Sequence, residues 1–152
     1  CTIKYIYLTI LKSIKTKAFL NAKNLKEIDI PSTVEEIRGS AFENCTSLTD
    51  VVLHEGLREI RASAFKNNVN LVNIELPNSL EYLGASAFSH CSSLTEITIP
   101  KNVIEINGQT FEYCTSLRTV NLHDDIISIH GEVFIEDSSL TNIKLPSKIT
   151  EV

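Results

Sequence analysis

Apolar and polar residues alternate over short segments of this chain, and one clear example lies at residues 27–30. Ile28 and Ile30 alternate with Glu27 and Asp29, which is the period-2 pattern of a β-strand with one buried face. Pro31 follows directly and ends the strand, because proline has no amide hydrogen for a further ladder bond. The pattern therefore predicts a short strand that is closed by proline.

A second apolar pattern follows the proline. Val34 and Ile37 lie three residues apart, which indicates that the chain turns back toward the core. Ala41 and Phe42 come next, and we predict a short helical or 3-10 turn here, with Ser40 as its N-cap. Polar residues then lead into the next leucine, where the strand pattern starts again.

This unit recurs along the whole chain with a period of 23 residues. The four prolines share one phase of the period, and six leucines share another. All six phenylalanines of the chain occupy a third phase: Phe19, Phe42, Phe65, Phe88, Phe111 and Phe134. Three residue types on one period identify an internal repeat.

A unit of this length is too short to bury its own apolar residues, whereas stacked units bury them against one another. Stacking in register predicts a continuous internal spine of the six phenylalanines, flanked by ladders of leucine, isoleucine and valine. We interpret residues 1–152 as a single domain of about six repeats. Because neither end carries an atypical capping unit, we expect the chain to be an excerpt of a longer array.

The composition narrows the classes of partner. The chain is 43% apolar and 22% charged, which is typical of a folded domain with a sizeable core. Its net charge of −5 argues against a basic surface for nucleic acid or anionic membranes. Because no apolar stretch approaches about 18 residues, we predict no membrane span.

The recurring motif LxxIxIPxxVxxIxxxAFxxC, followed by Ser-Leu, resembles the BspA-like subgroup of leucine-rich repeats over nearly the whole chain. The resemblance implies an α/β solenoid: a β-rich, right-handed leucine-rich-repeat superhelix with short helical or 3-10 turns on the convex side. It also implies a concave strand face that binds a protein, and a cell-surface or secreted location. Four proline and cysteine positions depart from the motif. His54 and His123 replace its proline, and Asn68 and Asp137 replace its cysteine. A buried aspartate at position 137 predicts distortion of the fifth repeat.

Exposed positions on the predicted strands form two columns along the solenoid, and they end in Asn142 and Lys144. Acidic residues dominate the columns in the first four repeats, and like charges that face each other on neighbouring strands are unfavourable. The columns are a docking strip for a basic segment of a protein ligand, a weak cation site, or the solvated face of an acidic protein. The candidate partner-binding residues are Glu27, Asp29, Asp50, Val52, Asn73, Glu75, Glu96, Thr98, Thr119 and Asn121.

Cysteine occupies the same position of neighbouring repeats at Cys91 and Cys114. A strand spacing of about 4.8 Å allows a disulfide between them, whereas a small apolar side chain also suits a buried ladder. Three interpretations stay open: buried free thiols, a disulfide, and a metal site that includes His90. The last is the weakest, because the chain has no paired-cysteine motif.

The sequence favours a binding module over an enzyme. It has no glycine-rich phosphate loop, nucleophile elbow or zinc-binding helix motif, so we predict no catalysis, no cofactor and no metal. His123 beside Asp124 and Asp125 is either an acid–base cluster or, as we expect, a solvated loop. Our first hypothesis is a protein-interaction or adhesion module, and the alternative is a noncatalytic scaffold or docking segment of a larger enzyme or assembly.

Overall fold

The computed structural model of the protein describes residues 10–149, and the chain in this range is built from very short β-strands. Most repeats carry two of them, which lie on two faces of the solenoid. The strands are β1 Ser13–Ile14, β2 Glu27–Asp29, β3 Glu36–Ile37, β4 Asp50–Val52, β5 Glu59–Ile60, β6 Tyr82–Leu83, β7 Glu96–Thr98, β8 Glu105–Ile106, β9 Thr119–Asn121, β10 Ser128–Ile129 and β11 Asn142–Ile143.

Strands pair in parallel with the equivalent strand of the next repeat. Glu27 lies opposite Asp50 where β2 meets β4, and Glu96 lies opposite Thr119 where β7 meets β9. Each pairing joins residues that are one 23-residue period apart, so equivalent positions contact equivalent positions. The molecule is a β-solenoid of about six turns, in agreement with the repeat pattern.

The first row of strands, which the alternating pattern predicts, is interrupted in its middle. It comprises a two-stranded sheet, β2–β4, and a three-stranded sheet, β7–β9–β11. Residues 72–76 lie between them and contain no strand. The alternating pattern is the same there as in the other repeats, so the sequence does not signal this break.

A second row of strands forms where the sequence predicts only a turn toward the core. It comprises the four-stranded sheet β1–β3–β5–β6 and the two-stranded sheet β8–β10. Each strand is only two residues long, and its inward residue is apolar and buried, as at Ile37, Ile60 and Leu83. The core therefore lies between two rows of strands.

The phenylalanine rings stack through the centre of the solenoid. Phe42, Phe65, Phe88 and Phe111 are completely buried. From Phe19 to Phe134, successive ring centroids are 5.0–5.9 Å apart and the ring planes are within 6° of parallel. The distortion that Asp137 predicts for the fifth repeat is absent from this stack, because Phe134 lies 5.9 Å from Phe111 at an angle of 5°.

The segments that carry the phenylalanines are not helical, and the predicted helical or 3-10 turns are wrong. They are successive β-turns in which alternate amides bond within the repeat and to the next repeat. The amides of Ala41, Glu43 and Cys45 bond to carbonyls three residues earlier, at Arg38, Ser40 and Phe42. The intervening amides of Ser40, Phe42 and Asn44 bond to Ala62, Ala64 and Lys66 of the next repeat.

Left-handed residues explain why no helix forms. Ser40 has a φ of 56° and Asn44 a φ of 60°, and equivalent residues of the other repeats are left-handed as well. A left-handed residue at every fourth position is incompatible with an α-helix. Ser40 therefore occupies a turn and is not an N-cap, because an N-cap residue needs an extended backbone.

Candidate functional site

The strand face consists of the outward side chains of β2, β4, β7, β9 and β11 and of the intervening residues 72–76. Nine of the ten predicted partner-binding residues are exposed there, and Thr119 is half-buried. They are outward because each strand turns its alternate residues, such as Ile97 and Val120, into the core. The columns predicted from the sequence thus lie on one surface, with Asn73 and Glu75 on its irregular central part.

Several side chains of the strand face bond to one another across neighbouring repeats. His54 Nε2 lies 2.6 Å from Asp29 Oδ1. Asn121 donates from Nδ2 to Glu96 Oε1 at 2.7 Å and to Thr98 Oγ1 at 3.0 Å. His54 occupies the position that the motif gives to proline, and there it makes a polar contact with Asp29 that proline could not make.

Four carboxylates of the strand face have no cationic partner; one of them, Glu96, accepts the hydrogen bond from Asn121, and the other three lie toward the opposite end. Glu27 and Asp50 face each other in register on neighbouring strands, and Glu75 follows on the irregular segment. Among residues 10–149, no ion pair involves any of the three. Adjacent like charges repel each other, so this part of the surface attracts a cationic group.

The other end of the strand face contains a shallow, open hollow of about 440 Å³. Residues 119–122 and 141–144 of two neighbouring repeats line it. Its walls combine apolar residues with the polar side chains of Thr119, Asn121 and Asn142, and Lys144 contributes a positive charge. The strand face therefore changes along the solenoid from an acidic surface to a mixed hollow.

The opposite face, formed by β1, β3, β5, β6, β8 and β10, neutralises much of its own charge. Lys12 Nζ lies 2.7 Å from Glu35 Oε1, and this hydrogen bond lowers the pKa of Glu35. Arg38 donates to Glu36 at 2.8 Å and lowers the pKa of Glu36. Arg61 also contacts Glu36, at 3.1 Å. The two faces differ in that the strand face leaves more of its carboxylates unpaired.

The cysteines in the described range are free thiols and completely buried. Cys91 donates to the carbonyl of Phe65 at 3.2 Å and Cys114 to that of Phe88 at 3.2 Å. Burial raises the pKa of Cys91 to about 12 and raises that of Cys114 as well. Because the nucleophilic and metal-binding form is the thiolate, these residues fill the core and are unsuited to chemistry.

The histidines also have structural contacts. His90 Nδ1 lies 2.8 Å from Ser89 Oγ, and its ring stacks on Tyr113 at 4.7 Å. His123 Nε2 lies 3.0 Å from the carbonyl oxygens of both Pro100 and Val103. Asp124 and Asp125 are exposed in the turn after β9, as expected of a solvated loop, whereas the half-buried ring of His123 holds the turn of the preceding repeat. Within residues 10–149, no three side chains of the types that bind metals cluster together.

A ladder of asparagines is a feature that sequence reasoning missed. Asn44 donates to Asn21 at 2.9 Å, and Asn67 donates to Asn44 at 2.7 Å. All three residues are left-handed, a conformation that asparagine tolerates better than most residues. The recurrence of asparagine at this phase was the signal available in the sequence.

The described part of the chain also contains no helix with the length and apolar character needed to cross a bilayer.

Comparison with known proteins agrees with the repeat architecture. The sequence pattern of the BspA type leucine rich repeat region matches in six copies, over residues 1–102 and 58–152. A leucine-rich repeat protein from Bacteroides ovatus ATCC 8483 is 31% identical, with a TM-score of 0.79 over 91% of this chain and 42% of its own. A leucine rich cell surface protein from Faecalibacterium prausnitzii A2-165 is 34% identical, with a TM-score of 0.81 over 91% of this chain and 38% of its own.

A third similar structure has a lower sequence identity, but this chain covers a larger share of it. The T. pallidum leucine rich repeat protein is 29% identical, with a TM-score of 0.66 over 86% of this chain and 72% of its own. The chain thus spans about two fifths of the length of the first two solved structures. No curated protein sequence matches it.

Proposed function

Because the chain belongs to the family of BspA-type leucine-rich repeats, we propose that it binds a protein partner through its strand face. Proteins of this family generally serve as interaction or surface modules. The observation that supports the strand face is the unpaired charge of Glu27, Asp50 and Glu75, which contrasts with the ion pairs on the opposite face. A surface whose charge is not satisfied internally is available for a partner.

The charge of the strand face favours a partner with a basic segment. The acidic columns extend over several repeats in register, so an extended lysine- or arginine-rich segment meets carboxylates along its length. Val52 is 47% exposed between them and offers an apolar contact. The hollow beside Lys144 accepts a different part of the partner, with polar and apolar contacts.

We place this binding module on the cell surface or outside the cell, where it serves in adhesion. The support is a similarity: a relative with 34% identity carries the name leucine rich cell surface protein. The architecture fits the role, because a solenoid presents a long continuous surface to a large partner. The alternative role is a noncatalytic scaffold or docking segment of a larger enzyme or assembly.

Charge reversal on the strand face tests the proposal. We expect the full chain to bind a fluorescent lysine-rich peptide in an anisotropy titration, and the affinity to fall as salt is added. The triple variant Glu27→Lys, Asp50→Lys and Glu75→Lys should lose this binding. Native extract then supplies the partner: proteins retained by the immobilised wild-type chain, and lost with the triple variant, are candidates.

The matched control is a triple reversal away from the strand face. Glu81→Lys, Glu105→Lys and Asp124→Lys change the net charge by the same amount at exposed positions, so they separate a local effect from overall charge. Equal binding by the two triple variants would contradict the assignment of the strand face. Retention of a flanking enzyme or a stable assembly, in place of a surface or matrix protein, would favour the scaffold.

A further inference from the structure

A buried position that recurs every 23 residues supplies a hydrogen, in four consecutive repeats, to the carbonyl of a phenylalanine in the preceding repeat. We call these positions the donor column. Three of its members are cysteines, whose thiols donate at 3.1–3.2 Å: Cys45 to Phe19, Cys91 to Phe65 and Cys114 to Phe88. Asn68 replaces cysteine in the second repeat, and its Nδ2 donates to the carbonyl of Phe42 at 3.0 Å. The chemical requirement of the column is thus a donor, which either a thiol or an amide meets.

Asp137 occupies the donor column in the fifth repeat and is 9% exposed. Its Oδ1 accepts a hydrogen bond from the amide of Cys114 at 2.8 Å. Its Oδ2 is buried and has no hydrogen-bond partner among the described residues. An ionised carboxylate has no hydrogen to donate, whereas a protonated one has an O–H. An ionised Asp137 therefore fails the requirement that the other members meet, and a neutral one satisfies it.

We propose that Asp137 is a proton-dependent latch: its protonated Oδ2 donates to the carbonyl of Phe111, as the thiols do in other repeats, and ionisation releases this contact and loosens the sixth repeat. The acceptor is the carbonyl of Phe111, because position 137 is related to Phe111 as Cys114 is related to Phe88. The ring stack of Phe134 on Phe111 is intact, so the carboxyl group occupies the column without displacing the spine.

The electrostatic surroundings of Asp137 favour the neutral acid. Burial raises its pKa to about 7, the amide of Cys114 opposes this shift, and the charge of Glu112 adds to it. Glu112 is in turn held by Ser89, which donates to it at 3.2 Å. The Cys114 thiol is the other titratable group that interacts with Asp137. None of the ion pairs of the described residues involves Asp137, so no cation offsets these effects.

The sign of the pH dependence follows from the raised pKa. The folded chain binds the proton of Asp137 more tightly than the unfolded chain, whose aspartate titrates near the ordinary value of 3.8. The stabilising contribution is therefore complete below about pH 4 and is lost as the pH rises to about 7. Within this window, the ionisation of Asp137 raises the equilibrium constant of unfolding by at most about tenfold for each pH unit.

The position of Asp137 in the chain directs its effect to the end of the strand face. The carbonyl of Asp137 accepts the amide of Leu140 at 3.0 Å, which closes the turn that leads into β11. Strand β11 and the residues around it line the hollow. Ionisation of Asp137 therefore loosens the wall of the hollow before it affects the repeats at the other end.

Two measurements on the full chain test the latch. In the wild type, the side-chain carboxyl carbon of Asp137, followed by NMR, should titrate near pH 7, and hydrogen-exchange protection at Leu140 should fall over the same range. In urea denaturation at about pH 5 and about pH 8, the wild type should be less stable at the higher pH. Asp137→Asn should reduce this difference, because its amide donates at every pH, as that of Asn68 does.

Asp124→Asn is the matched control, since it removes an exposed aspartate from the same repeat and should keep the wild-type pH difference. Asp137→Cys restores the residue that the column uses most often and should behave like Asp137→Asn. Titration of the Asp137 carboxyl below about pH 5 would overturn the proposal, and this measurement needs no variant. An unchanged pH difference in both Asp137 variants would also overturn it.

Discussion

Replacement of one ring in the middle of the phenylalanine spine should destabilise the whole solenoid. Phe88 is completely buried, and its ring stacks on Phe65 at 5.5 Å and on Phe111 at 5.9 Å. Burial of a phenylalanine side chain contributes about 2–3 kcal/mol, and each aromatic contact adds about 1 kcal/mol. We therefore expect Phe88→Ala to lower the free energy of unfolding by about 4 kcal/mol, which agrees with measured losses of about 3–5 kcal/mol for such substitutions.

Phe134→Ala provides a comparison within the same spine. Phe134 is only partly buried and stacks on a single described ring, Phe111. Its removal loses less buried area and one aromatic contact fewer than removal of the Phe88 ring. We therefore expect the free energy of unfolding to fall by about 1–3 kcal/mol. The difference between the two variants isolates the contribution of a central position, because the chemical change is the same.

Urea denaturation followed by far-UV circular dichroism measures both losses. Repeats in a solenoid are stabilised by their neighbours, so a weakened central interface should also broaden the transition of Phe88→Ala or divide it in two. A loss below about 1 kcal/mol for Phe88→Ala would refute the spine as the source of stability. An equal loss for both variants would refute the argument that two neighbouring rings stabilise a central one.

Two further predictions concern the glycines and the cysteines. A Cβ at Gly84 would lie 2.5 Å from the backbone nitrogen of Ala62, whereas one at Gly131 meets nothing within 4 Å. Gly84→Ala should therefore lower the melting temperature, by a free energy of about 1–3 kcal/mol, and Gly131→Ala should leave it unchanged or raise it slightly; the reverse order would contradict the packing. Cys91 and Cys114, as buried thiols of raised pKa, should resist iodoacetamide in the native protein and react in urea, as peptide mass spectrometry would show. A mass two hydrogens lower, without alkylation in urea, would instead indicate a disulfide.

The register of the fold could be predicted because it depends on burial alone. Phenylalanine recurs without exception at its phase, and leucine does so from Leu25 onward; only stacking of equivalent positions removes all of them from water. The pairing of Glu27 with Asp50 follows from the same period. The exposure of the two columns on the strand face likewise follows from alternation with buried residues.

The local backbone could not be predicted to the same degree. Two-residue strands such as β3 are too short for a period-2 pattern to appear in the sequence. The left-handed turn positions are occupied by residues as different as Ser40, Gln109 and Tyr113, whereas glycine is the residue that usually signals such a conformation. Their backbone is imposed by hydrogen bonds to the next repeat, which a reading of one repeat does not contain. Tertiary contacts thus replaced the predicted helical turn by β-turns.

The donor column shows what a repeat adds to physical reasoning about a single residue. In a domain without repeats, no equivalent position shows which hydrogen bond a buried aspartate should make. Its protonation then has to be argued from its surroundings alone. Here Cys114 and Asn68 show which hydrogen bond the position makes in repeats of the same geometry, and the unpartnered Oδ2 of Asp137 shows what is missing. The exposed columns offer no such comparison between equivalent positions, because no packing requirement relates one exposed residue to the next. For the same reason, a partner can be inferred from them only as a class of charge, and the binding experiments must identify it.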